Sequence, residues 1–284
     1  DNINNENMLS QTTANYSYIK DPISGVWKET GVGISTWNNN WSYRNSSGFE
    51  SIETNPEAKV WRRNKEYIWK GELNSDGSYN NYVDNFNWNS SSQSSEWTNI
   101  SEITKYTRYS SPIELKDINN NRASTKMCDE DSKVLAVSNS WYGEMYYCGA
   151  EYIDQDSNGH YFDGEVGAIH PNGRTDSYSH TGLYSVSASD NQFVFSVFMR
   201  DGEHRAGKYK ISVWVKKTNY LNSRIKINGS IKPFNGESVF AGDWVLLNHY
   251  EDLSSSNESI SLTSSSGIIY FDDFRIHPVA SSVT

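Results

Sequence analysis

The sequence predicts an all-β protein in two parts, a Trp-rich β-meander of hairpins over residues 1–147 and a two-sheet sandwich over residues 148–284. Mean hydropathy is low, -0.74, yet 14% of the residues are aromatic. A disordered polar chain lacks aromatics, whereas Trp and Tyr set among Ser and Asn suit short strands whose rings pack on one side and meet water on the other. Apolar runs are brief, divided by Gly, Asn and Ser, and show no helical period of ten or more residues. Two-residue alternation in Tyr209, Ile211, Val213, Val215 and in Ile225, Ile227 is the pattern of strands with one buried face.

The 284 residues suffice for two cores. A formal charge of -10 and a pI near 5.1 argue against nucleic acid or an anionic membrane surface, which need clustered Lys and Arg, so neither is expected. No run of 18 apolar residues occurs, and no membrane insertion is expected. An acidic surface suits a secreted protein, so the expected location is extracellular or cell surface. The chain opens Asp-Asn-Ile-Asn-Asn without a basic and apolar leader and ends Ser-Ser-Val-Thr, which suggests a fragment of a larger parent chain. If Cys128 and Cys148 pair, the bond closes about twenty residues and stabilises on the order of 3 kcal/mol. Two partly buried thiols are the alternative, because spacing does not tell whether the sulfurs approach.

Residues 1–20 are Asn- and Ser-rich with a weak apolar trace (Met8, Leu9, Tyr16, Tyr18, Ile19), and the alternation of Tyr16 and Tyr18 suggests one strand. Aromatic runs follow at Val26-Trp27, Ile34 to Trp41, Val60 to Trp69 and Tyr79 to Trp88. Eight of the ten tryptophans precede Cys148, about one per run, as a meander of half-buried strands would distribute them. Asn74-Ser75-Asp76-Gly77 is a turn between the strand candidates Tyr67 to Leu73 and Tyr79 to Val83. Ser90 to Ser95 is an exposed low-complexity loop, and Asp129-Glu130-Asp131 a solvated acidic turn.

Ser101-Glu102-Ile103-Thr104-Lys105-Tyr106-Thr107-Arg108-Tyr109, with Pro112 to Asp117, Ala136 to Ser140 and Tyr142-Gly143-Glu144, resembles the region flanking the repeats of large bacterial Rhs, or YD-repeat, proteins. Val60-Trp61-Arg62 and Phe86 to Asn89 extend the resemblance over residues 60–147. Tyr106 to Lys126 and Met127 to Tyr147 form two similar segments of about twenty residues, but the Tyr-Asp signature of the repeats is absent. The resemblance therefore implies the flank of such a shell and not the shell itself.

Cys148 to Glu165 reads as a hinge between the two β-rich parts. Within it Asp154, Asp156, Asn158, Gly159 and Glu165 fit the spacing of a calcium loop, in which alternate oxygens wrap a hard cation and the glycine takes the sharp turn. The flanks are too short for paired EF-hand helices, so a calcium loop in β context stands beside a plain solvated acidic turn.

The second part offers about eight strands: Val166 to Ile169, Leu183 to Val186, Phe193 to Phe198, Tyr209 to Val215, Ile225 to Ile231, Trp244 to Tyr250, Ile260 to Leu262 and Ile268 to Ile276. Gly149-Ala150-Glu151, His180-Thr181-Gly182-Leu183-Tyr184-Ser185-Val186, Gly207 to Lys216 and Tyr270 to Ile276 resemble the galactose-binding-like jelly roll of xylan- and glucan-binding carbohydrate-binding modules over residues 149–278. That resemblance implies a jelly-roll β-sandwich and a structural calcium joining the opening Glu151 to the first acid of the closing strand, Asp272. Backbone oxygens near His180 to Ser185 would complete it, and Ala150 stands where the family carries an aromatic residue. Asp273 adjoins as a further metal candidate or as a salt-bridge partner of Arg275. An uncompensated carboxylate in an apolar strand is costly, which favours a cation.

Sugar recognition needs flat aromatic faces and hydroxyl-bonding polar groups. Alternation turns Ile211 and Val213 inward and Trp214 with Ser212 outward, so Trp214 is the platform candidate, followed by Trp244, Tyr220 and Tyr250. Ordinary core packing of these rings is the competing explanation. No G-x-S-x-G, H-E-x-x-H or P-loop pattern occurs, and His160, His170 and His180 fall in different turns. The expectation is a non-catalytic glycan- or polysaccharide-binding fragment of a large Rhs-like surface or secreted protein. A structural spacer without a sugar ligand is the alternative, and a glycoside hydrolase the weaker one.

Overall fold

The computed structural model describes residues 11–44, 50–52, 59–80, 86–88, 90, 92–156, 159–162, 165–168 and 173–284. These residues are strands and turns, with 3-10 turns at Tyr142–Glu144 and Tyr220–Asn222. No described helix is long and apolar enough to cross a membrane. The chain divides into two compact units, one comprising Asp1–Ser42, Ile52–Tyr106 and Leu115–Asn121, the other Tyr43–Ser51, Thr107–Glu114 and Arg122–Thr284.

The first unit is a meander. Strands Ala14–Lys20, Trp27–Asn38, Arg62–Trp69 and Trp97–Tyr106 pair antiparallel in chain order. Alternation sets Val32 and Ile34 on the face of Tyr67 and Trp69, and Trp97 closes this small core edge-on to Trp69 at 5.3 Å between ring centres. Asn74 to Gly77 form the expected turn, with Leu73 bridged to Tyr79. Val83 lies outside the described residues.

The second unit is a sandwich of two antiparallel sheets. One runs Arg174–Thr175, Ser185–Ala188, Ile269–Pro278, Gly207–Lys216, Trp244–Leu253, Val239–Ala241, with Tyr146–Cys148 on the far half of Ile269–Pro278. The other runs Ile153–Asp156, Gly159–Phe162, Val166–Ala168, Phe193–Met199, Glu258–Ser264, Ser223–Ile227, Ser230–Lys232. Ile211, Val213, Val215, Val245, Leu247, Phe271 and Ile276 meet Val194, Val197, Met199, Ile225, Ile260 and Leu262 between the sheets. Each fully buried aliphatic or aromatic side chain contributes roughly 1.5–3 kcal/mol.

The span expected as one strand, Ile225 to Ile231, is a hairpin. Asn228 and Gly229 both take positive φ (47° and 84°), the geometry of a tight primed turn, and Ile227 pairs Ser230. The stretch expected as a hinge lies inside the second unit, where Ile153–Asp156 pairs Gly159–Phe162.

By compactness residues 122–148 group with the second unit. Lys126 is fully buried, 2.6 Å from a Glu165 oxygen and 3.5 Å above the Tyr142 ring. Glu144, equally buried, accepts the backbone N–H and two guanidinium nitrogens of Arg205 as well as the N–H of Trp141. Cys128 and Cys148 are buried thiols. Glu144 is buried while Arg205 is exposed, so removing the carboxylate strips the Trp141 and Arg205 backbone N–H groups of their acceptor while water takes up the guanidinium. Glu144→Ala is therefore expected to destabilise the fold by about 1–3 kcal/mol. Chemical denaturation measures this, and a loss under about 1 kcal/mol would contradict a structural role for the pair.

Candidate functional site

The closing strand Ile269–Pro278 carries a β-bulge that organises one end of the sandwich. Trp214 pairs Asp272 and Ser212 pairs Arg275, so the single residue Val213 faces the two residues Asp273 and Phe274. Asp273 has φ 48° and is the additional residue. Phe271 and Phe274 both point into the core because of it, and two adjacent carboxylates emerge between them. On the facing sheet Phe195, also at a register shift and at φ 50°, stacks on Phe274 at 5.4 Å with an interplanar angle of 3°.

At the bulge the neighbouring strand changes. Ser185–Ala188 pairs Ile269 to Phe271, and Tyr146–Cys148 pairs Phe274 to Ile276. The turn at residues 179–184 meets three carboxylates there. Asp272 Oδ2 accepts the N–H groups of His180 (2.7 Å) and Thr181 (3.3 Å), while Oδ1 accepts that of Asp273 (2.7 Å). Glu151 Oε1 accepts the N–H groups of Leu183 and Tyr184, each at 2.9 Å. Asp273 accepts from Tyr147 Oη (2.7 Å) and Thr181 Oγ1 (2.8 Å) and lies 2.7 Å from His180 Nδ1. No Asp273–Arg275 ion pair forms among the described residues. Burial, then the charge of Asp273, push the Asp272 carboxyl up to about 7, and burial with the same charge raises the Tyr147 phenol.

Cα partners across antiparallel strands share a face, and the inward set is apolar apart from His249 opposite Ile211, so the outward face of this sheet can be given in rows. Tyr147, Arg275, Ser212 and Asn248 form one row across four strands. His277, Lys210 and Tyr250 form the next. Trp214 lies two residues on the other side of Ser212, about 13 Å along the strand from Lys210. The His180 imidazole stacks on the Trp214 indole at 4.0 Å and 16°, and Trp244 meets His180 edge-on at 5.7 Å. Two polar atoms of the central row, Arg275 Nε and Asn248 Oδ1, are buried without a hydrogen-bond partner.

The structure gathers Glu151, Asp272 and Asp273 around one turn, and Trp214, Trp244 and Tyr250 on one face. Tyr220 sits elsewhere, on its 3-10 turn with its ring edge-on to Phe240. Asn158 and His170 lie outside the described residues, and the backbones of Asp154 and Asp156 belong to a strand. Glu165, the last position of the suggested calcium loop, holds Lys126 and the Tyr142 hydroxyl. No set of three His, Cys, Asp or Glu side chains converges as a metal site among the described residues. Tyr147, Lys210, Ser212, Asn248, Arg275 and His277 were not singled out as ligand contacts. Alternation along their strands is the signal that reaches them, once Trp214 is taken as outward.

No family model matches the chain, and no curated protein matches it. Among solved structures it is similar to a xylan-binding domain from CBM 22 at 10% identity and TM-score 0.28, over 49% of this chain and 92% of that one. It is similar also to the CBM22-1 xylan-binding domain of Paenibacillus barcinonensis Xyn10C, at 17% identity and TM-score 0.27, over 49% and 91%. A third is the CBM22-1 and GH10 pair of a Clostridium thermocellum endo-1,4-beta-D-xylanase solved with xylohexaose, at 16% and 0.27, over 49% and 27%. Values this low leave the functional reading to the site itself.

Gly182 tests the turn. It has φ 61°, and a β-carbon there would overlap the Glu151 carboxylate. Gly182→Ala should cost about 1–3 kcal/mol and lower the melting temperature; an unchanged melt would show that Glu151 does not brace the turn.

Proposed function

We propose that the second unit is a non-catalytic carbohydrate-recognition module whose polysaccharide lies along the outward face of the sheet containing Gly207–Lys216. The observation that carries this is the row Tyr147, Arg275, Ser212, Asn248, with its two orphaned buried atoms. An unpaired buried donor or acceptor costs about 1–3 kcal/mol. Both atoms are closed to solvent in this conformation, so a sugar hydroxyl, donor and acceptor at once, satisfies either once the side chains over them turn aside. Trp214 and Tyr250 flank the row on either side and supply aromatic surface. Binding by one such face is weak, and repetition in a larger chain would raise it by avidity. An extracellular or cell-surface setting, within an Rhs-like parent chain, completes the proposal; the motifs in residues 60–147 support the second point.

A structural spacer is the second reading. It is favoured by the His180 ring on one face of Trp214 and by the burial of Trp244. Affinity electrophoresis of the full chain through gels cast with xylan or mixed-linkage glucan separates the two. Retardation is expected, with Asn248→Ala weakening it about tenfold and Trp214→Ala at least as much. Leu221→Ala, on an exposed turn, should leave it unchanged. Absence of retardation across a broad glycan array would favour the spacer.

Calcium belongs to the same proposal. Glu151 and Asp272, with carbonyls of the 180–184 turn, are hard oxygen donors of the kind the ion takes. Two adjacent buried acids, one pushed up to about 7, are what a cation would relieve. The carboxylates accept N–H groups instead, so the ion would share or displace those bonds. Chelation with EDTA in calcium-free buffer should lower the melting temperature; an identical melt would remove the ion from the reading.

A further inference from the structure

We infer that the polysaccharide bound on this sheet face is acidic, bearing uronate or sulfate groups that sit between Arg275 and Lys210. The inference rests on the carbohydrate reading above and names its ligand class. Lys210 pairs His277 and Ser212 pairs Arg275, which makes Lys210 and Arg275 diagonal neighbours, about 7–8 Å apart on adjacent strands. Neither has an acidic partner among the described residues.

Other cations of this unit are taken up by rings, carbonyls or acids: Lys216 lies over Tyr178, Lys226 over Phe193, and Arg174 and Arg224 hold backbone carbonyls. Arg122 pairs Glu114, Lys126 pairs Glu165, Arg205 pairs Glu144 and Lys232 pairs Glu251. Carboxylates are abundant in a chain of net charge -10, yet two cations stand together on one face without one. Like charges set side by side repel, and a buried guanidinium nitrogen left unpaired adds to the cost. Asp273, two residues before Arg275 on the same strand, already receives Tyr147 and Thr181 hydroxyls and lies against His180. Lys208, two residues further on the same face, lies over the Tyr250 ring and extends the cationic row begun by Arg275 and Lys210.

His277 stands between them. Burial first, and then both cations, hold its imidazole below the usual range, so it adds no charge at neutral pH and offers a neutral ring. Arg275 lies over the Tyr147 ring at 5.2 Å, which steadies its planar fork for two parallel bonds to a carboxylate or sulfate. Lys210 acts as a point charge beside it. The rest of the chain repels a polyanion, so the attraction is local and falls with salt over a Debye length of about 10 Å at 0.1 M.

The test compares matched polymers on the full chain by affinity electrophoresis and calorimetry. Polygalacturonate is set against the same polymer with its carboxyls reduced to alcohols, and dextran sulfate against dextran. Wild type should bind at least one acidic member about tenfold or more tightly than its neutral partner, and the pair that responds tells uronate from sulfate. Arg275→Gln and Lys210→Gln should each remove about tenfold on the acidic polymer, with little change on the neutral one. Lys210 is half-buried at the surface, so its variant keeps the test open if Arg275→Gln melts early. Equal affinity for acidic and neutral polymers, or indifference to both substitutions, overturns the acidic ligand and leaves the glycan face standing. Failure of every polymer, acidic or neutral, overturns both.

Discussion

The second unit depends on how two neighbouring carboxylates are accommodated at the closing strand. Asp272 and Asp273 are both buried, and a buried charge survives only when it is hydrogen-bonded or paired. Asp272 takes three backbone N–H groups and Asp273 two hydroxyls and an imidazole edge, so each is surrounded by donors. Those donors come from the turn at residues 179–184 and from Tyr147. The acids therefore decide where that turn lies, the turn presents His180, and His180 stacks on Trp214. One electrostatic requirement thus sets the edge of the proposed binding face.

The bulge makes the requirement compatible with a packed core. In a regular strand one of two adjacent residues must point inward, which would drive a carboxylate among Phe195 and Phe274. The additional residue lets Phe271 and Phe274 stay inside while both acids leave the core. A matching irregularity at Phe195 lets the opposing ring lie flat on Phe274. Apolar packing and polar geometry thus come from the same local departure from strand regularity.

Much of this was legible in the sequence wherever one strand carried its own signal. The alternation from Tyr209 to Val215 places Ile211 and Val213 in the core and Trp214 with Ser212 on the opposite face, as observed, although Ser212 is buried there. Glu151 and Asp272 were joined by resemblance, and both do grip the 180–184 turn, although through N–H groups. The hairpin at Asn228-Gly229 was passed over because Ile225, Ile227 and Ile231 keep the same odd spacing straight through the turn. The bulge was not legible, since whether Asp273 is the additional residue depends on Val213 of another strand. The row from Tyr147 to Asn248 joins residues about a hundred positions apart in the chain, and no local pattern assembles them. The Lys126–Glu165 and Glu144–Arg205 pairs join residues 39 and 61 positions apart and leave no local signal in the sequence.

The distance in sequence between the members of this arrangement has a kinetic meaning. Tyr147 and Asp273 are 126 residues apart, and Val137 exchanges backbone hydrogen bonds with Thr284. Such contacts close late, because long loops must be drawn in before they reward the chain. During synthesis the strands Tyr146–Cys148, Ser185–Ala188 and Gly207–Lys216 all emerge before the strand that pairs with each of them. Until it arrives their edges are open to neighbouring chains, so maturation of this unit is a race between release of its last strand and association with another nascent copy.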